Sequence, residues 1–173
     1  QDQNEKAVRG KRYIEAILNE LHQESDKANR SKLFSHLGDV IDYSGHIFTK
    51  EEVNKLFETL LTHFESIEKE RLDYENKKNN RVVHNKSPDD DEDDANIDDL
   101  LKEDLEIIEE TQEEISDTIG KLFKTHKDIS GDIVNVIITK ILPRFASQTS
   151  SVYESKMALY IVDDMIEFLG MEM

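Results

Sequence analysis

Apolar residues recur at three- and four-residue spacing in six separate stretches, the pattern of helices that each bury one face. The first predicts a helix over 5–22, with Ala7, Ile14, Ile17, Leu18 and Leu21 on one side. A second, over 32–43, is carried by Leu33, Leu37, Val40 and Ile41, with Gly45 placed as its C-terminal stop. The third, over 49–74, has the clearest start. Thr49 and Glu52 form a capping box, Phe48 and Val53 a hydrophobic staple, and the stripe runs on through Leu56, Phe57, Leu60, Leu61, Phe64 and Ile67. The fourth, over 97–127, carries Ile97, Leu101, Leu105, Ile108, Ile115 and Ile119, then Leu122 and Phe123. The fifth, over 132–146, is a β-branched run (Ile133, Val134, Ile137, Ile138, Ile141) that also fits a buried strand. Its length, spacing and helical neighbours favour helix, kinked or ended by Pro143. The sixth, over 151–169, opens on a second capping box, Ser151 with Glu154, and closes at Gly170. Its apolar positions spread around much of its circumference, so it requires neighbours on more than one side.

No stretch reads convincingly as a strand, so the fold class is all-α. Taken as antiparallel pairs, the helices suggest a period near forty residues, that of a HEAT or armadillo solenoid. A free-standing helical bundle fits the same periodicity. The chain divides into helices over 1–75, an insert over 76–96 and helices over 97–173. The insert opens as an aperiodic Asn/Lys-rich run and contains Pro88, which predicts a mobile connection.

Charge sharpens that division. Between Asp89 and Ile119 there are 16 acidic residues against one lysine, Lys102, so this block holds almost all of the net charge of −17. Such acidity argues against a nucleic-acid surface and for basic protein partners. The candidate contacts are Asp89, Asp90, Asp91, Glu92, Asp93, Asp94, Asp98 and Asp99. A solvated, structurally incidental loop is the plain alternative. An EF-hand reading fails on register: counted from Asp89, the glycine position is Asp94 and the closing glutamate position is Leu100.

Cysteine is absent, which excludes a disulfide framework and a thiolate metal site. No apolar run approaches the ~20 residues that span a bilayer. The six histidines form no i, i+4 pair; His36 and His63 lie beside apolar stripes, as half-buried structural imidazoles do. Asp163 and Asp164 are adjacent on a helix, about 100° apart, so they do not form a dyad; one of them is expected to bond a neighbouring loop. No nucleophile motif, phosphate-cradling loop or dinucleotide fingerprint occurs, so no catalytic residue, cofactor or metal is assigned.

Several segments taken together resemble the importin-β (karyopherin-β) family of nuclear transport receptors. They are the acidic run leading into EEISDTIGKLFKTHK (Glu113 to Lys127), then ILPRF (Ile141 to Phe145), then ALYIVDDMIEFLG (Ala158 to Gly170). LGDVIDYSG (Leu37 to Gly45), followed by the long helix from Thr49, is similar to a HEAT helix pair. Ser155, Lys156 and Met157 depart from the Arg-Gln-Trp that the family often carries there. The resemblance implies a HEAT-repeat solenoid and a fragment from the C-terminal half of a longer receptor: about two full repeats, flanked by a leading and a trailing helix. It further implies basic cargo proteins, Ran-GTP bound through other parts of the receptor, Phe-Gly nucleoporins as partners, and shuttling between cytoplasm and nucleus. Another HEAT-type scaffold and an acidic histone-chaperone-like module are the competing expectations.

Overall fold

In the computed structural model, which describes residues 3–84, 91–128, 131–148 and 150–170, six helices follow one another and no strand occurs among the described residues. They are α1 (Gln3–Leu21), α2 (Lys27–Ser44, extended by a 3-10 turn Gly45–Ile47), α3 (Lys50–His84), α4 (Asp91–Thr125), α5 and α6 (Val152–Leu169). The helix α5 is continuous over 131–145: α-helical at Gly131–Val136, π-helical at Ile137–Ile141 and α-helical again at Leu142–Phe145.

Both predicted capping boxes form. The Thr49 N–H donates to Glu52 Oε2 at 2.8 Å and the Glu52 N–H to Thr49 Oγ1 at 3.3 Å. The Ser151 N–H donates to Glu154 Oε2 at 2.7 Å, and the Glu154 N–H returns to Ser151 Oγ at 3.2 Å. Gly170 ends α6 in the left-handed conformation, φ 65°, where a side chain would be strained.

Other boundaries differ from the sequence expectation. The start of α2 is Lys27, because Asp26 caps it by accepting from the Asn29 N–H at 2.8 Å. Helix α2 does end at Ser44 with Gly45 as its C-cap, where the stop was expected, but Gly45 is not left-handed; its φ is −60° and the chain turns on as a 3-10 segment. There the glycine admits α4: a Cβ at Gly45 would lie 3.0 Å from Thr125 Oγ1. Helix α3 continues to His84 and α4 already begins at Asp91, so both run well into the 76–96 stretch. From Glu75 to His84 there is neither Gly nor Pro to break the helix, and acids at the start of α4 suit its positive dipole end. Residues 85–90, on which part of the mobile-insert expectation falls, lie outside the described residues. With α3 and α4 each 35 residues long, every second helix starts 64 residues on (Lys27 to Asp91) or 81 residues on (Lys50 to Gly131), so the helix pairs do not repeat at forty.

The β-branched fifth segment is helical, not a strand. Pro143 has no N–H to give to Thr139, and its ring crowds that carbonyl; the π turn immediately before it accommodates the mismatch.

The packing is two-layered. In one layer α2, α4 and α6 lie side by side and run the same way. Lys27 Nζ meets Asp104 at 3.2 Å and, further along, Lys124 Nζ meets Asp42 at 2.7 Å. On the other flank of α4, Tyr153 and Lys156 reach Gln112 and Glu113, and the Asp164 carboxylate stands directly over Gly120. Helices α1, α3 and α5 form the second layer, joined by Lys11–Glu52 (2.6 Å) and by the Phe64 and Phe145 rings, 5.4 Å apart. The core is continuous between the layers, with Phe34, Leu37, Ile41, Leu60, Phe64, Ile115, Leu122, Phe123, Ile137, Phe145 and Met157 all buried. Helix α4 is the common element, packing on α2, α3 and α6. Over residues 97–100 it stands clear of that core: Ile97 is 40% and Leu100 61% exposed. No helix among the described residues is long and apolar enough to cross a membrane.

Candidate acidic binding face

Two groups of charges face each other across α4, one buried and one open. The buried group centres on Arg71 of α3, whose side chain is 0% exposed, and Glu68, 1% exposed. The Arg71 guanidinium donates to Glu68 (3.0 and 3.1 Å), to Glu75 (3.3 Å) and across the layers to Glu154 (2.8 Å). Gln112 Nε2 donates to Glu68 at 3.0 Å, Tyr153 Oη donates to Gln112 Oε1 at 2.9 Å, and Arg144 closes on Glu68 at 3.6 Å. Burial works against the Arg71 cation, but its bonds to Glu68 and the surrounding carboxylates outweigh it and raise the guanidinium pKa. Burial, then Glu109 and Glu113, also pushes the Tyr153 phenol up. Both groups are therefore locked in one charge state, and the network joins α3, α4, α5 and α6. It is a structural tie.

The open group is the outward face of α4. Asp99, Glu103, Glu106, Glu110, Glu113 and Asp117 follow at spacings of four and three, which puts all six on one stripe. Asp99, Glu103, Glu106, Glu110 and Asp117 are exposed and Glu113 is half-buried. Three lysines answer part of this charge: Lys121 on Asp117 (2.8 Å), Lys156 on Glu113 (3.0 Å) and Lys102 loosely on Glu106 (3.9 Å). Asp99, Glu103 and Glu110 have no ion-pair partner among the described residues. Toward the C-terminal half, the stripe opens into a groove between α4 and α6 of about 360 Å³. Glu110, Glu113, Glu114, Ser116, Asp117, Tyr160, Asp163 and Asp164 line it.

Of the candidate contacts from sequence, Asp89 and Asp90 lie outside the described residues. Asp91, Glu92, Asp93 and Asp94 fall in the opening turns of α4, and Asp98 and Asp99 are exposed further along it. The larger part of the acidic face, Glu103 to Asp117 with the α6 acids, was not among them. The four-and-three spacing of the acids is the signal that locates it. Asp164 bonds no loop; it leans over Gly120 of α4, where any side chain would collide with its carboxylate. No group of three potential metal-ligating side chains occurs among the described residues.

Burial pushes the Asp164 carboxyl up to about 6, and Asp117, Asp163 and Glu167 add to the effect. An acid with a raised folded-state pKa stabilises the fold while protonated. That contribution is complete below its ordinary value near 3.8 and disappears as pH rises through about 6. Asp164→Asn is therefore expected to gain about 1 kcal/mol at pH 7.5 and nothing at pH 4, the full shift being discounted because the group is half exposed. Urea titrations of both proteins at the two pH values measure this; equal midpoints at pH 7.5 contradict it.

Comparison with protein-family models, curated proteins and solved structures finds no match to this chain.

Proposed function

We propose that the chain is a non-enzymatic segment of a nuclear import receptor of the importin-β kind, a HEAT-type scaffold whose acidic face holds basic cargo. The observation that carries this reading is the α4 stripe continued onto α6: a long, mostly unpaired acidic face built on packed helices. Its support in the fold is the alternation of layers, with α2, α4 and α6 in one and α1, α3 and α5 in the other, and with α1 packed on α2, α3 on α4 and α5 on α6. The family resemblance of the last eighty residues supplies the transport role. Ran-GTP is a partner of other parts of such a receptor, Phe-Gly nucleoporins are partners as well, and the receptor shuttles between cytoplasm and nucleus.

Exposed ion pairs contribute roughly 0.2–1 kcal/mol each and weaken with salt, so the face attracts and steers a basic segment through many small terms. The test is a titration with a lysine- and arginine-rich nuclear-signal peptide at low and physiological salt. Binding is expected at low salt. The fourfold variant Asp99→Asn, Glu103→Gln, Glu106→Gln, Glu110→Gln should weaken it about tenfold or more, since 1.4 kcal/mol is a factor of ten. Equal affinity for variant and parent would remove the acidic face from the account. A histone-chaperone-like module is the outcome if core histones bind and the signal peptide does not.

A further inference from the structure

We infer that the groove between α4 and α6 is a subsite for one arginine side chain of a basic partner. This deepens, and rests on, the basic-partner reading above.

The groove is acidic, and acidity alone selects no ligand. Ser116 is the second observation. It lines the groove, it is only 4% exposed, and its hydroxyl has no hydrogen-bond partner among the described residues. Hydroxyls on the same helix do otherwise: Thr111, Thr118 and Thr125 each donate back to the carbonyl four residues earlier, at 2.8, 2.8 and 2.9 Å. Its oxygen is not sealed from solvent, so it stands at the groove wall as an open acceptor that an incoming donor can use in place of water.

The carboxylates around Ser116 are not equivalent. Glu113 is engaged by Lys156 and Asp117 by Lys121, while burial pushes the Glu114 carboxyl up, with Ser35 of α2 acting in the opposite sense. Glu110, Asp163 and Asp164 have no partner among the described residues, and Asp164 lies over Gly120 because that position has no side chain. Tyr160 supplies an aromatic wall that already accepts a cation, with Lys156 Nζ 5.2 Å from the ring centre.

Two or more open acceptors at separate angles beside an aromatic face match a guanidinium better than an ammonium. Arginine presents five donors in a planar fork and stacks on rings, whereas lysine is a compact point charge that stays more strongly hydrated.

The test uses the whole chain and three versions of one lysine-rich peptide, with arginine, lysine or citrulline at a single central position, followed by fluorescence anisotropy. The arginine peptide is expected to bind about tenfold more tightly than the citrulline peptide and several-fold more tightly than the lysine peptide. In Asp164→Asn and in Ser116→Ala the arginine-over-lysine ratio falls to about one. In Glu103→Gln, outside the groove, both peptides weaken alike and the ratio is kept. An unchanged ratio in both groove variants, or no arginine preference in the parent, overturns the subsite and leaves the basic-partner reading standing. If no basic peptide binds at low salt, that reading fails and the subsite with it.

Discussion

The Arg71→Ala variant is expected to lose about 3–5 kcal/mol of folding stability, the usual cost of breaking a buried ion pair from one side. Alanine leaves the Glu68 carboxylate 1% exposed, with only the Gln112 amide at 3.0 Å and Arg144 at 3.6 Å to answer it. It also removes the bond that ties Glu154, and so the capping box of α6, to α3. The loss belongs to the orphaned carboxylate more than to the missing attraction. Accordingly the double variant Glu68→Leu, Arg71→Met, which takes away both charges and keeps the volume, is expected to be more stable than Arg71→Ala. Urea denaturation of the three proteins at pH 7 reads the difference. A single variant that costs under 1 kcal/mol, or a double variant no better than it, contradicts a buried tie at this place.

Phe145→Ala is expected to cost about 3–5 kcal/mol, the range for emptying a buried aromatic site. Phe145 is 1% exposed and packs against Phe64 with ring planes at 55°. This contact holds the end of α5 on α3, and it exists because the helix continues through the π turn and Pro143 instead of ending there. Phe145→Leu restores most of the volume and is expected to recover more than half of the loss. A loss under 1 kcal/mol for the alanine variant in the same denaturation experiment means that α5 does not dock as described.

Much of the fold is legible in the sequence because its signals are local. Thr49 with Glu52, Ser151 with Glu154, and Gly170 act within one turn of chain, and all three behave as their spacing predicts. The length of α3 and α4 is less legible, since apolar periodicity marks the buried part of a helix and not its end. Past Tyr74 and before Ile97 the apolar stripe lapses, yet α3 continues to His84 and α4 already begins at Asp91. Gly45 marks the end of α2 as its position suggests, while its other role, leaving room for Thr125 of α4, depends on a distant helix and is not legible locally.

The buried charges were the hardest to foresee. Glu68 and Arg71 sit beside the apolar stripe of α3 and read as solvent residues, because their partners Gln112, Arg144 and Glu154 come from three other helices. The acidic face is intermediate. Its charge is plain in the composition, while its shape as one stripe that meets the α6 acids in a groove depends on α6 lying parallel to α4. Asp164 shows what that juxtaposition costs the fold: a half-buried carboxylate held near other acids, whose removal is expected to stabilise the chain at neutral pH.

Under the proposed function, α4 and α6 together present the face that meets a basic partner. Amide chemical-shift changes on adding the nuclear-signal peptide at low salt test this residue by residue. The largest shifts are predicted between Asp98 and Asp117 and between Tyr153 and Glu167, shrinking together as salt is added. Shifts centred on α1 and α2 instead, or no shifts at low salt, would contradict it.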